Sequence, residues 1–136
     1  MHQSIINFNN IKSSIKSNQE QTNNKNNIKI IAVSKTFEIS HINPLIDYGH
    51  TDFGENKVQE AIEKWTDIKT KNNKLSLHLV GKLQSNKTKL ALKIFDYIHS
   101  LDSEKLANKI SEEQKKIDKK PKLFIQVNIG NEVQKS

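Results

Sequence analysis

Residues 28–36 read Ile-Lys-Ile-Ile-Ala-Val-Ser-Lys-Thr, a short β-branched run that ends in three polar residues. A run of this kind, interrupted only by Lys29, is typical of a strand that is buried on both faces of a parallel sheet. Parallel α/β folds bind their ligands at the carboxyl ends of the strands. The polar residues that end this run, Ser34, Lys35 and Thr36, are therefore the first candidates for a functional site.

Four further segments have strand patterns, and helical patterns separate them. The predicted strands are residues 51–53, 75–80, 97–101 and 123–127. The predicted helices are residues 39–46, residues 58–71 closed by Asn72-Asn73, residues 83–95, and a last helix that contains Leu106, Ala107 and Ile110. Ser103 is the predicted N-cap of the last helix, and Gly49 is predicted to end the first one. Pro44 is unfavourable in that first helix unless it lies in the first turn.

The order of these elements predicts the fold class. Strict alternation of strands and helices predicts right-handed crossovers and a parallel sheet of the α/β class. Upstream, residues 1–27 predict one amphipathic helix followed by a polar connector. Two architectures remain open: an open doubly wound sheet, and a (β/α)8 barrel of which only about five-eighths is present.

The composition limits the function classes. The 136 residues fit one domain, and the absence of cysteine excludes disulfides, thiolate chemistry and the usual structural zinc sites. A net charge of +7 raises the alternative of a nucleic-acid-binding module, but all 22 basic residues are Lys and they are dispersed, which favours a solvated surface. No apolar run is long enough to span a bilayer and no signal-peptide pattern is present, so we expect a cytoplasmic protein.

Polar residues near the predicted strand ends form a short set of candidates. They are Lys35, Asn56, His78 with Gln84 and Asn86, Ser100, and Asn128. Lys35 suggests Schiff-base chemistry, because an amine attacks an aldehyde only when unprotonated and an apolar setting favours the neutral form. It also fits a lysine that reaches solvent from a strand end. His78 fits a hydrogen-bonded structural role, and Asn56 and Asn86 fit caps or turns.

Several well-known motifs are absent from the sequence. Gly54 and Gly81 belong to neither a GxGxxG nor a GxxxxGK[ST] phosphate loop, and no GxSxG elbow occurs. Without cysteine, and with no carboxylate at ligand spacing from His78, we expect no metal site.

Five blocks of sequence occur in the order and spacing of one family. They are Ala32-Val33-Ser34-Lys35-Thr36, Phe53-Gly54-Glu55-Asn56-Lys57-Val58-Gln59-Glu60, His78-Leu79-Val80-Gly81-Lys82-Leu83-Gln84-Ser85-Asn86-Lys87, Ile98-His99-Ser100-Leu101-Asp102 and Gln126-Val127-Asn128-Ile129-Gly130. In these blocks the chain resembles the pyridoxal phosphate homeostasis proteins, which are single-domain relatives of the alanine racemase N-terminal barrel. The resemblance covers nearly all of residues 28–136.

The resemblance implies a fold, a cofactor and a site. It implies an incomplete (β/α)8 barrel of the alanine racemase N-terminal type over residues 28–136, after the helix and connector of residues 1–27. Lys35 would hold pyridoxal 5′-phosphate (PLP) as a Schiff base, and Asn56, His78, Ser100 and Asn128 would line the cofactor cavity. The family is thought to buffer PLP and deliver it, with PLP-dependent apo-enzymes as candidate recipients, and without robust catalysis of its own. No specific nucleic acid and no membrane is expected as a partner.

The family pattern extends further than this sequence does. Family members continue through three more strand–helix units, with Gly-Met-Ser-type and Arg-Ile-Gly-type segments that grip the phosphate and the pyridine nitrogen. A sheet with two open edges is prone to aggregation or strand addition. We therefore expect this chain alone to fold poorly or to depend on a partner fragment.

Three other functions remain open. A racemase- or decarboxylase-like PLP enzyme would need a second domain or dimer partner that supplies a base on the opposite face of the cofactor. A nucleic-acid-binding module would lose affinity steeply with salt and would tolerate Lys35→Ala. The remnant of a broken gene would have no retained function.

Overall fold

Helices and strands alternate along residues 1–130, which are the residues that this computed structural model describes. The elements are α1 (Gln3–Thr22), β1 (Ala32–Val33), α2 (Ile39–Asp47), β2 (Asp52–Glu55), α3 (Val58–Lys71), β3 (Ser76–Leu79), α4 (Thr88–Ile94), β4 (Tyr97–Leu101), α5 (Glu104–Lys116) and β5 (Lys122–Ile125). The predicted alternation is confirmed. Residues 131–136, which the predicted partial barrel includes, lie outside the described residues. Within the described chain, none of the helices combines the length and apolar character that a membrane span requires.

The first of two compact units contains residues 1–30 and 37–51, with helices α1 and α2. The ring of Phe8 contacts those of Tyr48 and His50, with centroids 6.4 Å and 4.6 Å apart. The Asn9 amide donates to the Tyr48 hydroxyl at 3.0 Å. These aromatic and polar contacts pack α1 against α2.

Helix α2 ends close to the predicted position but contains its proline in an unexpected place. Gly49 follows the helix with φ +102°, the left-handed conformation that glycine adopts without steric cost. Pro44 lies inside α2, so the expectation that it would need the first turn was wrong. Its nitrogen cannot donate to the carbonyl of Ser40 four residues earlier. Ser40 is exposed, so water can supply the missing donor.

Within the described chain, the second unit contains residues 31–36 and 52–130 and is built on a five-stranded parallel sheet. The strands lie in the order β1-β2-β3-β4-β5, with Phe53 opposite Leu77 and Leu79 opposite Ile98. A doubly wound sheet reverses its strand order at a switch point, whereas a barrel adds each strand beside the preceding one. The fold is therefore an incomplete (β/α)8 barrel of the α/β class, as predicted.

Alternate strand residues form the core of this unit. Four of them are at most 1% exposed: Phe53, Leu77, Leu79 and Ile98. Trp65 of α3 is fully buried, and its ring lies 5.0 Å from that of Phe53. Because side chains alternate along a strand, Gly54 and His78 face the other side of the sheet.

The two outer strands are shorter and more exposed than predicted. The strand predicted at residues 28–33 is limited to Ala32–Val33, and Val33 is 50% exposed rather than buried on both faces. In the described residues β1 pairs with β2 alone, so no strand covers its other edge. The strand predicted at residues 123–127 is Lys122–Ile125. Within residues 1–130 it pairs with β4 alone, and Ile125 is 77% exposed.

The helix predicted at residues 83–95 also begins later than expected. Gln84 has an extended backbone, a 3-10 turn occupies Ser85–Lys87, and α4 starts at Thr88. Leu83 is 3% exposed without being helical. Spacing alone cannot distinguish a buried loop residue from the first apolar position of a helix.

Leu92→Ala is expected to lower the free energy of unfolding by about 2–5 kcal/mol, because it removes a fully buried side chain and leaves a cavity. Leu90→Ala on the same helix is the matched control, since Leu90 is 39% exposed and its removal should change stability by no more than about 0.5 kcal/mol. Urea unfolding followed by circular dichroism compares the two variants. Equal losses would contradict the packing of α4 through Leu92.

Candidate functional site

An open cleft of about 750 Å³ lies beside the carboxyl ends of β1, β2 and β3 in the second unit. Ligand pockets for small molecules have volumes of this order. The charged residues in its lining are Lys35, Lys57, Lys82, Lys87 and Glu60, and the amide side chains are Asn56, Gln59, Gln84 and Gln126. Because amines outnumber carboxylates there, the cleft favours an anionic ligand.

Lys35 follows β1 and is among the residues that line this cleft. The side chain is exposed, which corrects the expectation of an apolar setting. The apolar residues of the preceding strand do not cover it, because β1 is a two-residue outer strand. No side chain among residues 1–130 pairs with the Lys35 amine, which leaves that amine available to a ligand.

Hydrogen bonds on both sides of Lys35 fix the turn in which it lies. The Ser34 N–H donates to a backbone carbonyl of β2 at 2.8 Å, and the Lys64 amine donates to the Ser34 carbonyl at 2.8 Å. The Thr36 N–H donates to the Glu60 carboxylate at 2.8 Å. The residues before and after Lys35 are thus attached to β2 and α3.

Glu55, at the end of β2, is fully buried. Its carboxylate accepts hydrogen bonds from the Lys64 amine at 2.5 Å and from the Trp65 indole N–H at 3.1 Å. A buried charge is costly unless it is paired and hydrogen-bonded. Both donors lie on α3, so the carboxylate ties the end of β2 to that helix.

Asn56 lines the cleft directly after β2, and its side-chain oxygen is buried with no hydrogen-bond partner among the described residues. A ligand that donates a hydrogen bond there would remove the cost of that unpaired acceptor. Lys57, not Asn56, holds the N-cap position of α3, so the capping interpretation of Asn56 was wrong. Gly81 packs so closely that an added Cβ would lie 2.5 Å from the Asn56 carbonyl oxygen. The missing side chain at Gly81 thus keeps Asn56 beside the cleft.

His78 belongs to a buried polar cluster and is not among the residues that line the cleft. Its Nε2 lies 2.9 Å from an Asp52 carboxylate oxygen, and its Nδ1 lies 2.9 Å from the Nε2 of His99. The ring of Tyr97 stacks on that of His78 with centroids 4.1 Å apart, and His99 stacks on Phe124 at 4.6 Å. These contacts fit the structural interpretation of His78.

Ser100 and Asn128 also lie away from the cleft lining. Ser100 is 2% exposed, and its hydroxyl has no hydrogen-bond partner in the part of the chain that the structure describes. Asn128 is exposed after β5, and its side-chain oxygen accepts from the Gly130 N–H at 3.3 Å. Neither residue approaches Lys35 through a common cleft.

Only some of the site residues predicted from the sequence lie in this cleft, and other residues that were not predicted contribute to it. Of the candidates, it brings together Lys35, Asn56 and Gln84, whereas Asn86 lines a neighbouring cleft of about 590 Å³. Glu60, Lys64 and Gln126 are additional contributors. Glu60 and Lys64 are four residues apart on α3, and this spacing looks like an ordinary solvated ion pair in a sequence. Gln126 is a polar residue directly after the apolar run Leu123-Phe124-Ile125, so its position at a strand end was predictable from the sequence.

One histidine of this cluster, His99, has a shifted pKa. Burial in the first place, and then the charge of neighbouring His78, hold the pKa of His99 below its ordinary value. The unfolded chain therefore binds a proton at His99 more readily than the folded chain does. The free energy of unfolding therefore decreases as the pH falls below the ordinary pKa of histidine. Above that pKa, the contribution of His99 to stability is fully present.

Comparisons with known proteins place these features in context. A protein-family model described as "Alanine racemase, N-terminal domain" matches residues 6–133. The "Pyridoxal phosphate homeostasis protein" of Haemophilus influenzae is 42% identical over 119 residues, which are 87% of this chain and 50% of the relative. The protein of the same name from Buchnera aphidicola is 42% identical over 109 residues, which cover 80% of this chain and 47% of the relative. The chain spans about half the length of the curated relatives it matches.

Solved structures share both the fold and part of the sequence. PipY of Synechococcus elongatus with PLP bound has a TM-score of 0.72 and 38% identity, covering 82% of this chain and 53% of PipY. A protein described as unknown from Bifidobacterium adolescentis has a TM-score of 0.83 and 29% identity, covering 94% of this chain and 56% of that protein. In each case about half of the larger protein matches.

His99→Gln is expected to flatten the pH dependence of stability. The wild-type chain should lose stability between about pH 7.5 and about pH 5.5, because the unfolded state takes up more protons at His99 than the folded state. The variant lacks this uptake and should lose less. Urea midpoints at the two pH values measure the difference. His41→Gln, at an exposed position on α2, is the control and should keep the wild-type slope; a slope unchanged in His99→Gln would contradict the assignment.

Proposed function

The chain belongs to the family of the alanine racemase N-terminal domain, and from this membership we propose that it binds PLP as a Schiff base on Lys35 and acts in intracellular PLP homeostasis. The observation that carries the proposal is the Lys35 amine, which has no side-chain partner among the described residues, in a cationic cleft at the carboxyl ends of parallel strands. The names of the curated relatives and the PLP-bound PipY structure support the choice of ligand.

The residues of the cleft fit the chemistry of this cofactor. PLP supplies an aldehyde that reacts with amines and an anionic phosphate ester. Lys57, Lys82 and Lys87 provide cationic partners for a phosphate group, a role that lysine commonly fills as a point charge. The buried oxygen of Asn56 provides an acceptor that lacks a donor within residues 1–130.

We assign direct roles in this proposal to Lys35 and Asn56. Lys35 would hold the cofactor covalently, and the Asn56 side-chain oxygen would accept a hydrogen bond from a donor on the cofactor ring, its hydroxyl or its protonated nitrogen. His78, Ser100 and Asn128 stay predictions from the family resemblance, because none of them is among the residues that line the cleft.

The proposal is for a binding protein rather than an enzyme. Racemisation needs an acid or base poised at the reacting carbon in addition to the cofactor. Glu60, the carboxylate in the cleft lining, accepts from the Thr36 N–H and lies 3.4 Å from the Lys64 amine, so it is already engaged. Delivery of PLP to apo-enzymes and a cytoplasmic location belong to the same proposal.

A partner-dependent fragment of this family is the second candidate, and the exposure of β5 favours it. Leu123, Phe124 and Ile125 are 40%, 51% and 77% exposed. Exposed apolar side chains on an outer strand promote strand addition or aggregation. This second candidate predicts that the purified chain self-associates or melts without a cooperative transition, as measured by analytical ultracentrifugation and thermal circular dichroism. A monomer with a cooperative melt would contradict this candidate and would leave PLP binding by the chain itself as the sole proposal.

Reductive trapping tests the proposed Schiff base. We expect borohydride reduction of the chain mixed with PLP to label Lys35 selectively, because an amine held beside the bound aldehyde reacts at a high effective concentration. Lys35→Ala should reduce the specific label at least about tenfold on the same grounds. Peptide mass spectrometry locates the labelled lysine.

Lys82→Ala is the matched control, since Lys82 lines the same cleft but is not the proposed reacting amine. It should keep Lys35 as the labelled residue while weakening PLP binding through the loss of one positive charge. Label scattered over many lysines in the wild-type chain would contradict the proposal.

A further inference from the structure

Thr36, directly after Lys35, has a backbone conformation that is rare for its residue type. Its φ is +66°, in the left-handed region where a β-branched side chain is sterically unfavourable. Such conformations persist only where the surrounding structure holds them, and they cluster at functional sites.

Glu60 supplies the main contact. Its carboxylate accepts from the Thr36 N–H with both oxygens, at 2.8 Å and 3.3 Å. The hydroxyl of Thr36 donates to the carbonyl of Lys35 at 2.6 Å, which closes the turn locally. Glu60 lies in the first turn of α3, where a negative charge is stabilised by the helix dipole.

The other side of Lys35 is held by the same helix. Lys64, one turn after Glu60 on α3, donates to the carbonyl of Ser34 at 2.8 Å and lies 3.4 Å from the Glu60 carboxylate. The backbone units before and after Lys35 are thus attached to neighbouring side chains of one helix. This arrangement fixes the direction in which the Lys35 side chain leaves the backbone.

We propose that Glu60 is a positioning residue for Lys35, acting through the Thr36 N–H. It holds the left-handed turn that points the Lys35 amine into the cleft, and it takes no part in bond formation. The inference rests on the proposed Schiff base at Lys35 and adds the group that positions the reacting amine. A charged acceptor makes a stronger hydrogen bond than a neutral one. The strength with which Glu60 holds the Thr36 N–H therefore depends on its negative charge as well as on its shape.

A graded series at Glu60 tests this role. Glu60→Gln keeps a neutral acceptor for the Thr36 N–H and should slow reductive trapping of PLP on Lys35 severalfold, whereas Glu60→Ala keeps none and should slow it about tenfold or more. Three other lysines of the cleft serve as an internal reference, because their labelling should be the same in all variants: Lys57, Lys82 and Lys87. The measured quantity is the share of label on Lys35, determined by peptide mass spectrometry.

Glu63→Gln is the matched control on the same helix. Glu63 is exposed and accepts from Gln59 at 3.0 Å, and it has no contact with the turn around Lys35. It should leave the share of label on Lys35 unchanged. A fall equal to that of Glu60→Gln would overturn the proposal, because it would show a general effect of charge on α3.

A double variant separates positioning from simple stabilisation. Glycine adopts positive φ without steric cost, so Thr36→Gly in the Glu60→Ala background should recover stability, seen as a higher melting temperature than Glu60→Ala alone. Labelling of Lys35 should stay low, because glycine populates the left-handed turn among other conformations and nothing holds it there, so the direction of the Lys35 side chain stays free. Recovery of labelling to the wild-type share together with stability would show that Glu60 acts on stability alone and would overturn the positioning role.

The outcomes distinguish this inference from the proposed function. Wild-type chain without selective label on Lys35 overturns both. Wild-type chain with selective label, combined with an unchanged Lys35 share in Glu60→Ala, overturns the role of Glu60 alone and leaves PLP binding in place.

Discussion

A fully buried carboxylate, that of Glu55, holds together the parts of the fold that form the cleft. A charge removed from water needs donors close by, and Glu55 finds two of them on α3, in Lys64 and Trp65. The same Lys64 amine reaches the carbonyl of Ser34 beyond the end of β1. One buried charge therefore sets how β1, β2 and α3 meet. The cleft at the strand ends depends on this arrangement, since Lys35 and Asn56 follow the two strands that it joins.

Much of the fold was predictable because apolar periodicity is a local property. Alternating leucines marked β3, Ser103 marked the start of α5, and the order of elements predicted a parallel sheet. The apolar periodicity did not predict how many other strands each strand pairs with. The β-branched run at residues 28–33 predicted a strand buried on both faces, yet in the described chain β1 lies at an edge of the sheet and pairs with β2 at two positions. Edge or centre is decided by tertiary pairing, which single-sequence periodicity does not encode.

The candidate site was predictable at the level of strand ends and less so at the level of contacts. Lys35 and Asn56 follow consecutive strands and lie in one cleft, as residues at the carboxyl ends of parallel strands should. His78 has the right position along its strand but faces a cluster with Asp52 and His99. Glu60 and Lys64 were not predicted, because their hydrogen-bond partners, Thr36 and Ser34, lie 24 and 30 positions earlier in the chain. Long-range hydrogen bonds of this kind leave no periodic trace in a sequence.

The sequential order of the sheet has a consequence for how the chain is made. Every described strand pairs with the strand that precedes it or follows it in the chain, so strand pairing requires no wait for a distant segment. During synthesis each strand emerges when its neighbour is already available, and the sheet can extend at a single growing edge. Translation from the N-terminus and assembly of this sheet thus run in the same direction.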